Sequence, residues 1–103
     1  MIKIGFFDTK SYDRKSFEQN NKNYGFEIHY FSDRLSEESM QLAKGMDAVC
    51  VFVDDNVNAS VVRYLADSGV KLIALRCAGF NNVDLQAAQG KIAVVRVPAY
   101  SPH

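Results

Sequence analysis

The sequence predicts an α/β fold, a doubly wound five-stranded parallel sheet in the flavodoxin-like order, and three observations predict it. Five apolar runs, at residues 2–7, 26–31, 48–53, 72–75 and 92–97, start 24, 22, 24 and 20 residues apart. That interval accommodates one strand, one crossover helix and two short loops. Most runs are continuous rather than alternating, as strands covered on both faces require. Helix punctuation stands between them, and the right-handed crossover rule leaves few other topologies.

Each element has its own warrant. Residues 2–7 form the first strand, and residues 11–21 follow as a polar helix held by Tyr12 and Phe17. The second run alternates more, with Glu27, His29 and Phe31 on one face, which marks it as an edge strand. Ser36 with Glu37 and Glu38 behind it reads as a helix cap with acidic groups in the first turn. Lys44 and Gly45 close that helix with a cation and a left-handed stop, making it the best signalled of the chain. Asn58 caps residues 59–68, where Val61, Val62, Leu65 and Ala66 share one side and Gly69 follows. Residues 84–89 leave room for little more than one turn before Gly90, and residues 92–97 complete the sheet.

The 103 residues, 48% of them hydrophobic, suit one globular domain with a modest core. Twelve basic residues balance 12 acidic ones, so the positive excess of nucleic-acid binders is missing and no nucleic-acid partner is expected. The longest apolar run, six residues at 48–53, falls far short of the roughly 18 to 20 that cross a bilayer. The first residues lack a signal peptide's apolar length and cleavage site, so no membrane association and a cytoplasmic location are expected. Cys50 and Cys77 are too few for a disulfide framework and have no metal-ligand spacing; Cys50, inside an apolar run, is expected to be buried and inert.

In doubly wound sheets ligands sit beyond the carboxyl ends of the strands. The segment Arg76-Cys77-Ala78-Gly79-Phe80-Asn81-Asn82-Val83-Asp84 leaves the fourth strand through a glycine and enters a short helix. Successive N–H groups around such a turn can cradle a carboxylate or phosphate. A plain strand-to-helix turn, with Asp84 as a cap, explains the same residues and stays open beside it. A thiol near a helix start has a lowered pKa, which makes Cys77 a candidate nucleophile, but no partner histidine is evident, since His29 reads as a surface residue and His103 as a chain end. Asp8, Asp54 and Asp55 follow the first and third strands, as the metal-binding carboxylates of phospho-acceptor receiver domains do. That reading also wants a second acid beside Asp8, a Ser or Thr ending the fourth strand and a Lys ending the fifth, where this chain has Phe7, Arg76-Cys77 and Arg96. The three carboxylates are therefore expected to be solvated turn residues. No Gly-x-Gly-x-x-Gly occurs, so the chain carries no dinucleotide site of its own.

The glycine turn at residues 76–84 together with Val94-Val95-Arg96-Val97-Pro98-Ala99-Tyr100-Ser101-Pro102 resembles the D-isomer-specific 2-hydroxyacid dehydrogenases, in particular their D-lactate dehydrogenase branch. Residues 7–13 and 48–53 fit the same branch, so the resemblance spans the chain. It implies a substrate-binding lobe over residues 1–100 and, at residues 101–103, the start of a hinge to a Rossmann lobe that binds NAD and is absent from this sequence. It implies that the backbone N–H groups of Ala78 and Gly79 hold the substrate carboxylate. Phe52 would line the pocket at the substrate methyl, Tyr100 would lie at the cleft, and Cys77 would flank the carboxylate site. No catalytic residue is expected within the chain, because the family's clamping Arg, its Glu and its acid/base His lie in the absent part; His103 is not that histidine. The implied substrate is a small 2-oxo or 2-hydroxy acid, reduced or oxidised by a full-length protein expected to be a homo-oligomer, with this segment inactive alone. Residues 86–90 are about one residue shorter than is usual in the family, which leaves the length of that helix open. A stand-alone flavodoxin-like binding or receiver-type signalling module is the alternative.

Overall fold

The structure, a computed structural model, describes residues 2–9, 14–15, 18–19, 25–52, 55–75 and 83–96. Strands β1 (Lys3–Phe6), β2 (Glu27–Tyr30), β3 (Ala48–Val51), β4 (Leu72–Leu75) and β5 (Ala93–Arg96) form one sheet in the order β2-β1-β3-β4-β5. Every pairing is parallel. This is the expected flavodoxin-like order, with β2 at the edge and all four of its residues half-buried. β4 matches its apolar run, while the other strands are shorter than theirs; the ends of the first two runs still bond to neighbouring strands, Phe7 N–H donating to the Cys50 carbonyl at 2.9 Å and Phe31 N–H to that of Phe6 at 2.8 Å.

Helix α1 (Ala59–Asp67) begins where Asn58 predicts it, the Asn58 carboxamide oxygen accepting the Val61 N–H at 3.0 Å. It ends at Gly69, whose φ of 93° is open to glycine at no steric cost. Helix α2 (Leu85–Ala88) is the short turn expected, capped by Asp84, which accepts the Ala87 N–H at 3.1 Å. Arg14, Lys15, Glu18 and Gln19, within the segment predicted as the first helix, are helical.

The segment after β2 corrects the sequence expectation. In place of an α-helix over residues 36–44 stand turns and a single 3-10 helix, Met40–Ala43. The serine read as a cap and its neighbour Ser39 take backbone groups for themselves: the Ser39 hydroxyl accepts the Ser36 N–H at 3.0 Å and donates to the Arg34 carbonyl, while the Ser36 hydroxyl accepts the Glu38 N–H at 3.3 Å. The backbone bonds here run three residues back, as from Leu42 N–H to the Ser39 carbonyl at 3.0 Å, which winds the chain tighter than an α-helix. Gly45 still provides the left-handed stop, with φ 87°.

Parallel register places Gly5, Val49, Ile73 and Val94 on one side of the sheet and Phe6, Cys50, Ala74 and Val95 on the other. The first side holds the main core, where fully buried Val49, Val51, Ile73 and Leu75 meet Val61, Val62 and Leu65 of α1, Leu35, Ala43 and Ala88. The second side is closed over β1 and β3, where Phe6 is buried and Cys50 is buried as expected, and, among the described residues, more open over β4 and β5, where Ala74 is half-buried and Val95 is 44% exposed. No helix among the described residues is long and apolar enough to cross a membrane.

Candidate functional site

Crossovers bring the carboxyl ends of β1, β3 and β4 to one rim, and buried hydrogen bonds tie the loops there. Asp8, directly beyond β1, takes the left-handed φ of 52° and is 2% exposed; its N–H donates to the Asp33 carbonyl at 2.8 Å. Thr9 donates its N–H to the Phe31 carbonyl at 3.0 Å and its hydroxyl to the Phe6 carbonyl at 2.8 Å. Phe7 and Phe31 stack beneath, ring centroids 4.9 Å apart.

Asp55 ties the rim beyond β3. It is 1% exposed, and its two carboxylate oxygens accept the N–H groups of Leu35 and Phe52, each at 2.6 Å. Asp55 N–H donates in turn to the Phe52 carbonyl at 3.1 Å, and Asn56 N–H to the Leu35 carbonyl at 2.7 Å. The expectation that Asp8 and Asp55 are solvated turn carboxylates is therefore wrong; a buried carboxylate is retained where backbone N–H groups satisfy it. With both Asp55 oxygens turned to the backbone, the metal-binding receiver reading is not favoured, and no cluster of metal-ligating side chains occurs among the described residues.

Phe52, directly after β3, is half-buried. Cys77, Ala78, Gly79, Tyr100 and Asp54 lie outside the described residues. The segment containing the glycine turn is held at both ends. Leu75 closes it on one side, in register with Val51; on the other, Val83 bridges to Val57, and Asp84 N–H donates to the Val57 carbonyl at 2.9 Å. Val57 and Val83 thus lie side by side, and each is followed at once by the Asn or Asp that caps a helix.

Away from the rim, β2 carries two polar contacts. Glu27 and His29, both half-buried and on one face, meet at 2.6 Å, a hydrogen bond that holds the Glu27 carboxyl below its ordinary pKa. Tyr30 donates its hydroxyl to Glu18 at 2.8 Å under the Arg14 guanidinium; burial first, and Glu18 second, push its phenol above its ordinary pKa.

Sequence reasoning misread Asp55 as a solvated turn residue and missed the Val57–Val83 bridge. An Asp three residues after Phe52 signals a local turn, but nothing in the spacing joins it to Leu35, and a single bridged pair leaves no periodic pattern.

Comparison with known proteins gives a consistent result. Residues 4–103 match the family described as D-isomer specific 2-hydroxyacid dehydrogenase, catalytic domain. A 2-hydroxyacid dehydrogenase homolog of Haemophilus influenzae is 54% identical over 102 residues, covering 98% of the chain and 31% of that protein. The D-lactate dehydrogenase of Escherichia coli is 49% identical, again over 98% of the chain and 31% of the relative. Its apo-structure superposes with a TM-score of 0.91, covering 98% of this chain and 33% of that one. The D-lactate dehydrogenase of Lactobacillus jensenii with NAD+ matches at TM-score 0.85 and 32% identity, over 98% of this chain and 31% of that one. The chain thus spans about a third of the length of the relatives it matches.

Proposed function

Since the chain belongs to the D-isomer specific 2-hydroxyacid dehydrogenases, a family of oxidoreductases, we propose that it is the amino-terminal part of an NAD-dependent D-lactate dehydrogenase. The reaction proposed for the whole polypeptide is the reduction of pyruvate by NADH to D-lactate and its reverse. The observation that carries this reading is the 49% identity and 0.91 TM-score to one D-lactate dehydrogenase over nearly the whole chain.

In this reading residues 1–100 are a substrate-binding lobe, and residues 101–103 begin the hinge to a lobe that holds the nucleotide. The residues of this chain do not fit a nucleotide site, because no Gly-x-Gly-x-x-Gly is present. Their work is to hold and orient the acid. The N–H groups of Ala78 and Gly79 would bind the substrate carboxylate, a task suited to backbone donors around a glycine turn. Phe52 would face the substrate methyl, Tyr100 the cleft, and Cys77 would flank the carboxylate. An oriented carboxylate fixes where the carbonyl carbon lies, which is how a lobe without acid, base or nucleotide lowers a barrier. A cytoplasmic homo-oligomer is the expected form of the whole protein.

The test uses the whole polypeptide and the 103-residue chain side by side. The first is expected to oxidise NADH with pyruvate and release D-lactate, the second to show no turnover. Turnover by the short chain, or none by the whole polypeptide on any 2-oxo acid, overturns the reading.

A further inference from the structure

Asp55 engages both backbone polar groups of Phe52. One of its carboxylate oxygens accepts the Phe52 N–H at 2.6 Å, and its own N–H donates to the Phe52 carbonyl at 3.1 Å. The other oxygen is anchored 20 residues away on the N–H of Leu35, a fully buried core residue, at 2.6 Å. The loop is tied a second time by the bond from Asn56 N–H to the Leu35 carbonyl. The backbone at Phe52 is therefore fixed against the core through one side chain. A carboxylate alone among side chains of this size offers two charge-assisted acceptors to two N–H groups at once.

We propose that Asp55 is a positioning residue for substrate selection: by fixing the Phe52 backbone it sets how long a 2-oxo acid side chain the pocket admits. The inference rests on the reading above in which Phe52 lines the pocket at the substrate methyl. Pocket walls discriminate homologous substrates by the space they leave, at about 10-fold or more per methylene, and only a wall that cannot yield keeps that ratio. In Asp55→Asn the amide oxygen serves one N–H while the amide NH₂ faces the other, donor against donor, so the grip on Phe52 slackens although the side chain keeps its size.

The test measures kcat/KM for pyruvate and for 2-oxo-4-methylpentanoate in the whole enzyme and in three variants. Phe52→Leu reports the reading of Phe52. Asp55→Asn reports the inference. Leu65→Ala, a buried core truncation in α1, controls for lost stability. Asp55→Asn is expected to lower the preference for pyruvate about 10-fold, chiefly through KM, while Leu65→Ala leaves the ratio unchanged. If Phe52→Leu moves the ratio and Asp55→Asn does not, Asp55 has no part in selection. If Phe52→Leu does not move it, the reading of Phe52 falls and the inference with it. Should Asp55→Asn fail to fold, Asp55→Glu, which keeps two oxygens but carries them one methylene farther out, is read in the same way.

Discussion

Asp55→Ala takes the acceptor from two N–H groups at once, the buried one of Leu35 and the part-buried one of Phe52. Each such loss costs about 1–3 kcal/mol, so the midpoint of thermal unfolding is expected to fall by about 10 °C or more in a domain of this size. A fall of only a degree or two in calorimetry would mean that water serves those groups. Glu27 makes a different, pH-linked prediction. The hydrogen bond from His29 depresses its folded pKa below 4.5, so the contribution is present above that pH and is lost as pH falls through the lower folded value. In an NMR titration the Glu27 midpoint is expected below the ordinary glutamate range, and His29→Ala should raise it. At this scale the two capping residues were legible, because Asn58 and Asp84 act on N–H groups three positions along the chain. Asp55 was not, because its decisive partner lies 20 residues back and only the fold brings Leu35 to it.

Among the elements, α1 agrees with its sequence at every level: cap, apolar side and glycine stop. Asn58→Ala removes the cap bond and is expected to cost about 1 kcal/mol, which a denaturant midpoint measures directly. The segment before β3 shows how similar punctuation misleads. Ser36, Glu37 and Glu38 resemble a helix start, yet the Ser36 and Ser39 side chains satisfy the backbone locally, and only a 3-10 turn follows. Strand β1 carries a quieter constraint. A methyl group added at Gly5 would lie 3.2 Å from the Phe7 ring and 3.3 Å from the Met46 side chain, so Gly5→Ala is expected to crowd the core side at a cost of about 1 kcal/mol or more. An unchanged unfolding midpoint would show that Met46 swings aside.

For the molecule as a whole, strand order and parallel sense followed from the spacing of apolar runs and the handedness of crossovers, both independent of detail. Of the candidate site, Phe52 follows β3 directly and is half-buried, while Cys77, Ala78, Gly79 and Tyr100 lie outside the described residues, the first three between Leu75 and Val83 in the chain. The two sides of the sheet could not be told apart from sequence, since runs of Val, Leu, Ile and Ala look alike whether one face or both are covered. The open side over β4 and β5, with Val95 44% exposed, leads us to expect self-association of the 103-residue chain on its own. Sedimentation should show species heavier than 11.5 kDa, and Val95→Lys should reduce them.

That same open side has a calorimetric meaning. Apolar atoms already in contact with water contribute nothing to the heat capacity released on melting. A fully covered domain of this length would show an increment of about 1.2–1.5 kcal/mol/K. The chain by itself, diluted until monomeric, should fall below that range. Its stability would then vary less with temperature, giving a broad, shallow curve in place of a steep one.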